Sequence, residues 1–168
     1  MLGDFLKSKE YNRRKAVEYA IKWAYKRNPI YYNFDSVGGD CTSFISQCIY
    51  AGAGIMNYKK HIGWYYNSAS DRTASWSGVE FLYNFLVKNK GIGPRGEKTD
   101  IDRLEIGDVI QLKFFKERFS HSLIVIDKKG NTWDNVYIAT HTEDAYYRKV
   151  STYNFEDIRF IHIKDIGI

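Results

Sequence analysis

The chain has 168 residues, of which 44% are hydrophobic and 27% are charged, and its formal net charge is +5. These values predict a single globular domain over residues 1–168 that buries its own core, and they exclude a disordered, collagen-like or disulfide-rich chain. The basic residues are scattered and accompany no groove-reading motif, so we expect no nucleic-acid partner.

The beginning of the sequence alternates apolar and charged residues and lacks the apolar core of a signal peptide. No stretch approaches the roughly 18 apolar residues of a membrane span. We therefore expect no membrane insertion and synthesis in the cytoplasm, either as a free chain or as a domain of a longer exported protein. We also expect a monomer.

Helical periodicity dominates the first part of the sequence. Apolar residues three and four positions apart predict a helix over about 9–27, which Asn28 and Pro29 stop. The same spacing predicts a second helix from Cys41 to about Ala51, with glycines directly after it.

The next segment has no clean period and is predicted to be an aromatic loop over 55–76. Ser77 and Glu80 form a capping-box pattern, which predicts a third helix ending near Lys90. The glycine-rich segment 91–96 is predicted to be a loop.

The second part of the sequence changes to a period of two, which is typical of strands. The predicted strands span 109–115, 122–126, 136–141 and 158–163. Because helices come first and strands follow, the sequence predicts an α+β fold with a mostly antiparallel sheet.

Cys41 stands where the glycine-rich turn Gly38-Gly39 becomes a helix. The first N–H groups of a helix lack internal partners and carry partial positive charge, so they stabilise a thiolate and lower a cysteine pKa. Cys41 is therefore the candidate nucleophile. Cys48 lies two helical turns further on, about 10 Å along the axis, which is too far for a disulfide. We expect Cys48 to be a buried apolar residue.

A cysteine hydrolase needs a base, and His121 is the candidate. An imidazole can take the thiol proton and later return it to a leaving amine near neutral pH. Leu123 and Val125 alternate with His121 on one side of the strand, so we expect its ring on the sheet face that packs against the cysteine helix.

A third polar group could orient the His121 ring through a hydrogen bond. His141, near the end of the following strand, is one candidate, and Glu143 and Asp144 are alternatives. His61 lies in the aromatic loop, either beside a substrate or simply on the surface. No pair of histidines or cysteines has the spacing of a zinc site, so we expect no metal and no cofactor.

Several of these motifs together resemble a known family. The segment Gly-Gly-Asp-Cys-Thr-Ser-Phe-Ile-Ser-Gln-Cys at 38–48, Trp64-Tyr65-Tyr66, Ser75-Trp76 and His121-Ser122 are similar to the putative amidase domain. This domain family is placed in the NlpC- and CHAP-like superfamily of papain-like cysteine cell-wall hydrolases. The resemblance runs from about residue 11 to 164. It implies a papain-like fold, with the nucleophile-bearing helix packed on a mostly antiparallel sheet.

The resemblance implies a cysteine amidase or peptidase that acts on peptidoglycan, either at the N-acetylmuramoyl-L-alanine bond or within the stem peptide. Cys41 would be the nucleophile, His121 the general base and His141 the third polar group. Tyr32 would help to form the oxyanion site, with Tyr31 as an alternative. The expected place of action is the cell wall, and the expected partner is peptidoglycan or a peptide.

The same motifs leave two alternatives for each candidate substrate-binding residue. Asp40 is expected either to bind a free amino group of a stem peptide or to cap the cysteine helix. Trp64, Tyr65 and Trp76 either wall the substrate groove or pack in the core. Two other functions remain open, namely a cysteine hydrolase or acyltransferase that acts on a non-wall amide and a non-catalytic wall-binding module.

Overall fold

The computed structural model describes residues 7–168, and these form an α+β fold as the sequence predicts. The helices are α1 (Arg13–Trp23), α2 (Cys41–Ala53), α3 (Ala74–Ser77) and α4 (Val79–Lys88). The strands are β1 (Ser8–Lys9), β2 (Tyr66–Ser68), β3 (Asp71–Arg72), β4 (Gly93–Thr99), β5 (Val109–Lys113), β6 (His121–Lys128), β7 (Val136–Thr140), β8 (Ala145–Lys149) and β9 (Asp157–Gly167).

Seven of the strands form one antiparallel sheet in the order β1-β9-β5-β6-β7-β8, with β4 also paired to β9. Strands β2 and β3 form a separate small hairpin. The mostly antiparallel sheet is therefore confirmed. No described helix combines the length and the apolar character needed to cross a membrane.

Both faces of the sheet are buried. Helices α1, α2 and α4 pack on one face, where Val109, Ile124 and Ala139 join the larger apolar cluster. A second cluster covers the opposite face and contains Leu123 and Val125. Because side chains alternate between the faces, odd-numbered and even-numbered residues of β6 belong to different clusters.

Helix α2 has the boundaries that position the candidate nucleophile. It begins at Cys41, as predicted, and ends at Ala53, where Gly54 adopts a φ of 69° and donates its N–H to the carbonyl of Tyr50. Glycine takes this left-handed conformation without the steric cost that a side chain adds. Eleven of the thirteen residues of α2 are buried, so the helix lies at the centre of the molecule.

Several predicted boundaries are wrong. The first helix is shorter than predicted and spans only Arg13–Trp23. Ser77 ends α3 instead of capping α4, whose N-cap is Gly78 without a side-chain hydrogen bond. The segment 91–96 contributes to strand β4 rather than to a loop, because its backbone pairs with β9.

Candidate active site

Cys41 is the first residue of α2, and its side chain is only 6% exposed. Its Sγ lies 3.7 Å from the Thr42 hydroxyl and accepts backbone hydrogen bonds from Thr42 and Ser122. Burial nevertheless raises the pKa of the Cys41 thiol, because desolvation of a thiolate outweighs those hydrogen bonds. The prediction that the start of the helix lowers the pKa of Cys41 is therefore wrong, because the thiol is buried.

His121 is the first residue of β6 and is paired with Leu112. Its ring lies beside Phe114 and Tyr153, with centroid distances of 6.2 and 5.9 Å. Burial, together with the nearby positive charge of Arg148, lowers the pKa of His121 to about 4. The imidazole is therefore neutral at physiological pH and able to accept a proton.

The His121 ring is not on the face predicted from the sequence. Leu123 and Val125, which share its side of β6, lie in the cluster away from the helices. Ser122 faces α2 instead, and its hydroxyl lies 2.9 Å from that of Thr42. Among the described residues no hydrogen bond joins Cys41 Sγ to the His121 ring, and the sulfur contacts the backbone of the residue that follows His121.

His141 does not orient His121. Its Nδ1 lies 2.6 Å from Asp40 Oδ2, and its Nε2 donates to the carbonyl of Trp23 at 2.8 Å. The ring also stacks on Phe44, with centroids 3.9 Å apart. Both nitrogens are therefore engaged on the helix side of the sheet, and the hydrogen bond predicted between the two histidines does not form.

Neither of the two alternatives for the third polar group bonds to His121. Asp144 accepts two hydrogen bonds from Arg27, at 2.9 and 2.8 Å. Glu143 is exposed and has a φ of 57°. No described hydrogen bond links either residue to His121.

Asp40 occupies the N-cap position of α2, as one alternative predicts, but its carboxylate does not cap the helix and is not an exposed ligand for an amino group. Its side chain forms no capping hydrogen bond to α2 and is almost completely buried. Oδ1 accepts the Phe34 N–H at 2.9 Å, Oδ2 faces His141, and Arg27 Nε lies 3.7 Å away. The backbone N–H of Asp40 donates to Thr142 Oγ1 at 3.1 Å. Asp40 thus fixes the turn that carries Cys41.

The predicted oxyanion tyrosines have different surroundings. Tyr32 is 44% exposed, and its backbone N–H donates to the Tyr66 hydroxyl at 2.8 Å. Tyr31 stacks on Trp76 with centroids 5.7 Å apart, and burial raises the pKa of Tyr31 to about 12. No described hydrogen bond connects either hydroxyl to Cys41.

The predicted groove aromatics belong to the core. Trp64 and Trp76 are fully buried and lie 5.0 Å apart, and Trp64 Nε1 donates to Ser46 Oγ at 3.0 Å. Tyr65 is also buried and donates its hydroxyl hydrogen to Asp71. The core-packing alternative is therefore correct for the two tryptophans, which have no surface to offer a substrate.

A polar network behind Cys41 was not predicted. The Ser122 hydroxyl that contacts Thr42 also accepts a hydrogen bond from Gln111 Nε2 at 3.2 Å. Gln111 Oε1 in turn accepts from Arg159 Nε at 2.8 Å, and Arg159 pairs with Glu80 at 3.1 Å. Polar residues at core-facing positions of β5 and β9 are the pattern in the sequence that could have indicated this network.

Tyr153 and Arg148 are two further residues of the site that the sequence did not predict. Tyr153 lies beside His121, and Arg148 Cζ lies 3.7 Å from the centre of the Tyr153 ring. Arg148 belongs to β8, a strand whose sequence has no apolar alternation. The residue pattern of β8 therefore does not indicate that this segment reaches the candidate site.

One group of described residues has ligand atoms close enough together to hold a metal ion, namely Glu105, Asp108 and His162. Arg13 already supplies a positive charge there, because its Nη1 lies 2.7 Å from Asp108 Oδ1. His162 Nδ1 also lies 2.9 Å from Asp108 Oδ2. The group is a compensated ion-pair network that ties α1 to β9.

Comparisons with known proteins agree with the resemblance. The family model described as "Putative amidase domain" matches residues 10–163. An uncharacterized protein of Bacillus subtilis (strain 168), YhbB, is 38% identical over 127 residues, which cover 73% of this chain and 39% of that protein. The chain thus matches well under half of its relative's length. No solved structure matches the chain.

Proposed function

Since the chain belongs to the family described as the putative amidase domain, a description that indicates amide hydrolysis, we propose that it is a cysteine amidase or peptidase acting on peptidoglycan. The bond cleaved is the N-acetylmuramoyl-L-alanine amide or an amide of the stem peptide. The observation that carries this proposal is the position of Cys41, which heads α2 with its sulfur against the peptide that follows His121.

We further propose a papain-like fold of the NlpC and CHAP type. Support comes from a nucleophile at the start of a buried helix that packs on an antiparallel sheet, and from a histidine at the first position of a neighbouring strand. The chain would act at the cell wall as a monomer, whether it is released as a lysin or forms a domain of an exported protein.

His121 is the proposed general base. Its Cα lies two bonds from the Ser122 nitrogen whose hydrogen reaches Cys41 Sγ. This role requires the ring to turn from Phe114 and Tyr153 towards the sulfur by a change of χ1 between staggered rotamers. Substrate binding would favour this rotamer.

The chemistry begins with both groups neutral, since burial raises the pKa of the thiol and lowers that of the imidazole. His121 takes the thiol proton while Sγ bonds to the amide carbon and the carbonyl electron pair moves to oxygen. The tetrahedral intermediate expels the amine, which receives the proton from His121. Water then adds to the acyl-enzyme with His121 as base, and the acid product leaves with restoration of the thiol.

Substitution of the nucleophile tests the proposal. Cys41→Ala should abolish release of soluble fragments from purified peptidoglycan, whereas Cys48→Ala, a matched change of the other buried thiol, should retain it. Mass spectrometry of the fragments identifies the bond that is cut. Continued release by the Cys41→Ala protein would overturn the cysteine mechanism. Iodoacetamide labelling of Cys41 without any release from the wall would overturn peptidoglycan as the substrate.

A further inference from the structure

Tyr153 carries a buried hydroxyl that the described structure leaves unpartnered. The residue follows the short 3₁₀ turn Val150–Thr152, which leads from β8 towards β9. Its ring centroid lies 5.9 Å from that of His121. A buried hydroxyl without a hydrogen bond costs about 1–3 kcal/mol, so a native protein that retains one on a ring beside the candidate base needs a reason.

Contacts with Arg148 hold the Tyr153 ring in place. Arg148 Cζ lies 3.7 Å from the ring centre. Arg148 Nε donates to Thr152 Oγ1 at 2.8 Å, and Nη2 donates to the Thr152 carbonyl at 3.2 Å. The ring is thus packed between the guanidinium group and His121, in a fixed position from which Oη–H can donate.

The electrostatic surroundings keep the hydroxyl protonated. Burial raises the pKa of Tyr153 and outweighs the Arg148 guanidinium, which lowers it, while negative charge on Glu143 and Cys41 acts in the same direction as burial. A protonated hydroxyl is a hydrogen-bond donor, and it favours negative charge that develops nearby. Tyr32, the donor implied by the family resemblance, is instead 44% exposed.

We propose that Tyr153 is a catalytic residue whose hydroxyl donates a hydrogen bond to the oxyanion formed when Cys41 attacks the substrate carbonyl. This inference rests on the proposed function and names a residue of the same site. The donor is preorganised by Arg148 and finds its acceptor only when the tetrahedral intermediate forms. Its contribution therefore appears in the transition state rather than in substrate binding.

The Tyr153→Phe variant of the full chain removes only the hydroxyl. We expect kcat for peptidoglycan to fall roughly 10²-fold, with KM nearly unchanged, as for the loss of other oxyanion donors. Alkylation of Cys41 by iodoacetamide forms no oxyanion and should keep its rate. Tyr146→Phe, in the same strand-and-turn segment but with an exposed ring, is the control and should behave as wild type.

Failure of this inference is distinguishable from failure of the proposed function. If Cys41→Ala is inactive but Tyr153→Phe has wild-type kcat, only the role of Tyr153 is overturned. If Tyr153→Phe lowers kcat and the alkylation rate equally, the residue acts through the structure of the site and not on the oxyanion, which also overturns the inference. Retained activity of Cys41→Ala overturns both.

A second candidate region lies between α4 and the loop that follows α2. A concave region with a volume of about 440 Å³ is bordered by Lys59, His61, Lys88 and Lys90, together with the aromatic ring of Phe81 and the amide of Asn84. Neither Cys41 nor His121 is among the residues that line it.

The charges around this region are uncompensated in the described part of the chain. No Asp or Glu lines it, and none of its three lysines forms an ion pair with a described carboxylate. Like charges around one depression repel each other and raise the local concentration of anions. The volume is in the range of small-ligand sites. We infer that the region binds an anionic sugar, with the lysines on its phosphate or carboxylate and Phe81 against its ring.

Calorimetry with glucose 6-phosphate, glucuronate and uncharged glucose tests this second inference on the full chain. We expect the anionic sugars to bind and glucose not to bind, and the tighter of the two identifies the anion. Lys88→Gln and Lys90→Gln should each weaken binding about tenfold. The exposed Lys98→Gln and Lys164→Gln variants on β4 and β9 should leave it unchanged. Equal binding of glucose, or equal loss in these controls, would overturn it.

Discussion

The two sides of Cys41 differ in how completely their polar groups are bonded. On the helix side, Asp40 and His141 use all their side-chain nitrogen and oxygen atoms in short hydrogen bonds. On the strand side, the His121 ring lies beside Phe114 and Tyr153 and near the Arg148 charge, and neither it nor the Tyr153 hydroxyl forms a hydrogen bond within residues 7–168. Fully bonded groups fix a structure, whereas buried groups with free hydrogen-bonding capacity are able to bond to a reacting molecule.

The largest expected effect comes from breaking the helix side. Asp40→Ala leaves the His141 nitrogen and the Phe34 N–H without their acceptor in a buried site. Removing one partner of a buried pair costs about 3–5 kcal/mol, so the free energy of unfolding in urea should fall by that amount. Asp35→Ala removes an exposed partner of Arg27 and is the control, with an expected loss under about 1 kcal/mol. Similar losses in both variants would contradict the comparison.

A smaller effect is expected on the strand side, where the free energy of unfolding should depend on pH through the titration of His121. The unfolded His121 titrates near its ordinary pKa of 6.5, whereas the folded ring titrates at about 4. Between these values the unfolded state binds more protons, so stability is complete above pH 6.5 and is lost as the pH falls to about 4. The loss attributable to His121 is about 3 kcal/mol.

Urea unfolding of wild type and His121→Gln at pH 7, 5.5 and 4 measures this contribution. The variant should show a shallower loss of stability with falling pH than wild type. His61→Gln replaces an exposed histidine and should leave the wild-type slope. If the free energy of unfolding fell with pH in parallel for wild type and His121→Gln, the His121 ring would not be desolvated. The proposed difference between the two sides of Cys41 would then be contradicted.

The sequence predicts the start of α2 better than the sheet face on which His121 lies, for a physical reason. A glycine turn followed by an apolar stripe specifies where α2 begins, and Cys41 is indeed its first residue. Alternation identifies which residues of β6 share a face, but it does not identify the face that packs against the helices. Because both faces of this sheet are buried, Leu123 and Val125 were assigned to the wrong one.

Composition also could not separate core aromatics from groove aromatics. Trp64 and Trp76 lie within the segment 55–76 that is predicted to be an aromatic loop, yet the two indoles pack together in the core. Strand β4 was missed because its glycine and proline suggest a loop, although an edge strand tolerates both. The partners of His141 depend on the loop before α2 and on the end of α1, which are far away in sequence.

The smallest expected effect concerns the charge that faces His121. Arg148 lowers the pKa of His121 because a nearby cation disfavours the imidazolium form, although burial is the larger cause. Arg148→Gln should therefore raise the pKa of His121 from about 4 while leaving it below 6.5. The acidic limb of the kcat/KM profile should move to higher pH in the same direction. Arg103→Gln, which removes an exposed partner of Glu97, is the control and should leave the limb in place. NMR titration of the His121 ring measures the pKa directly, and an unchanged or lower value in Arg148→Gln would show that burial alone keeps this imidazole neutral.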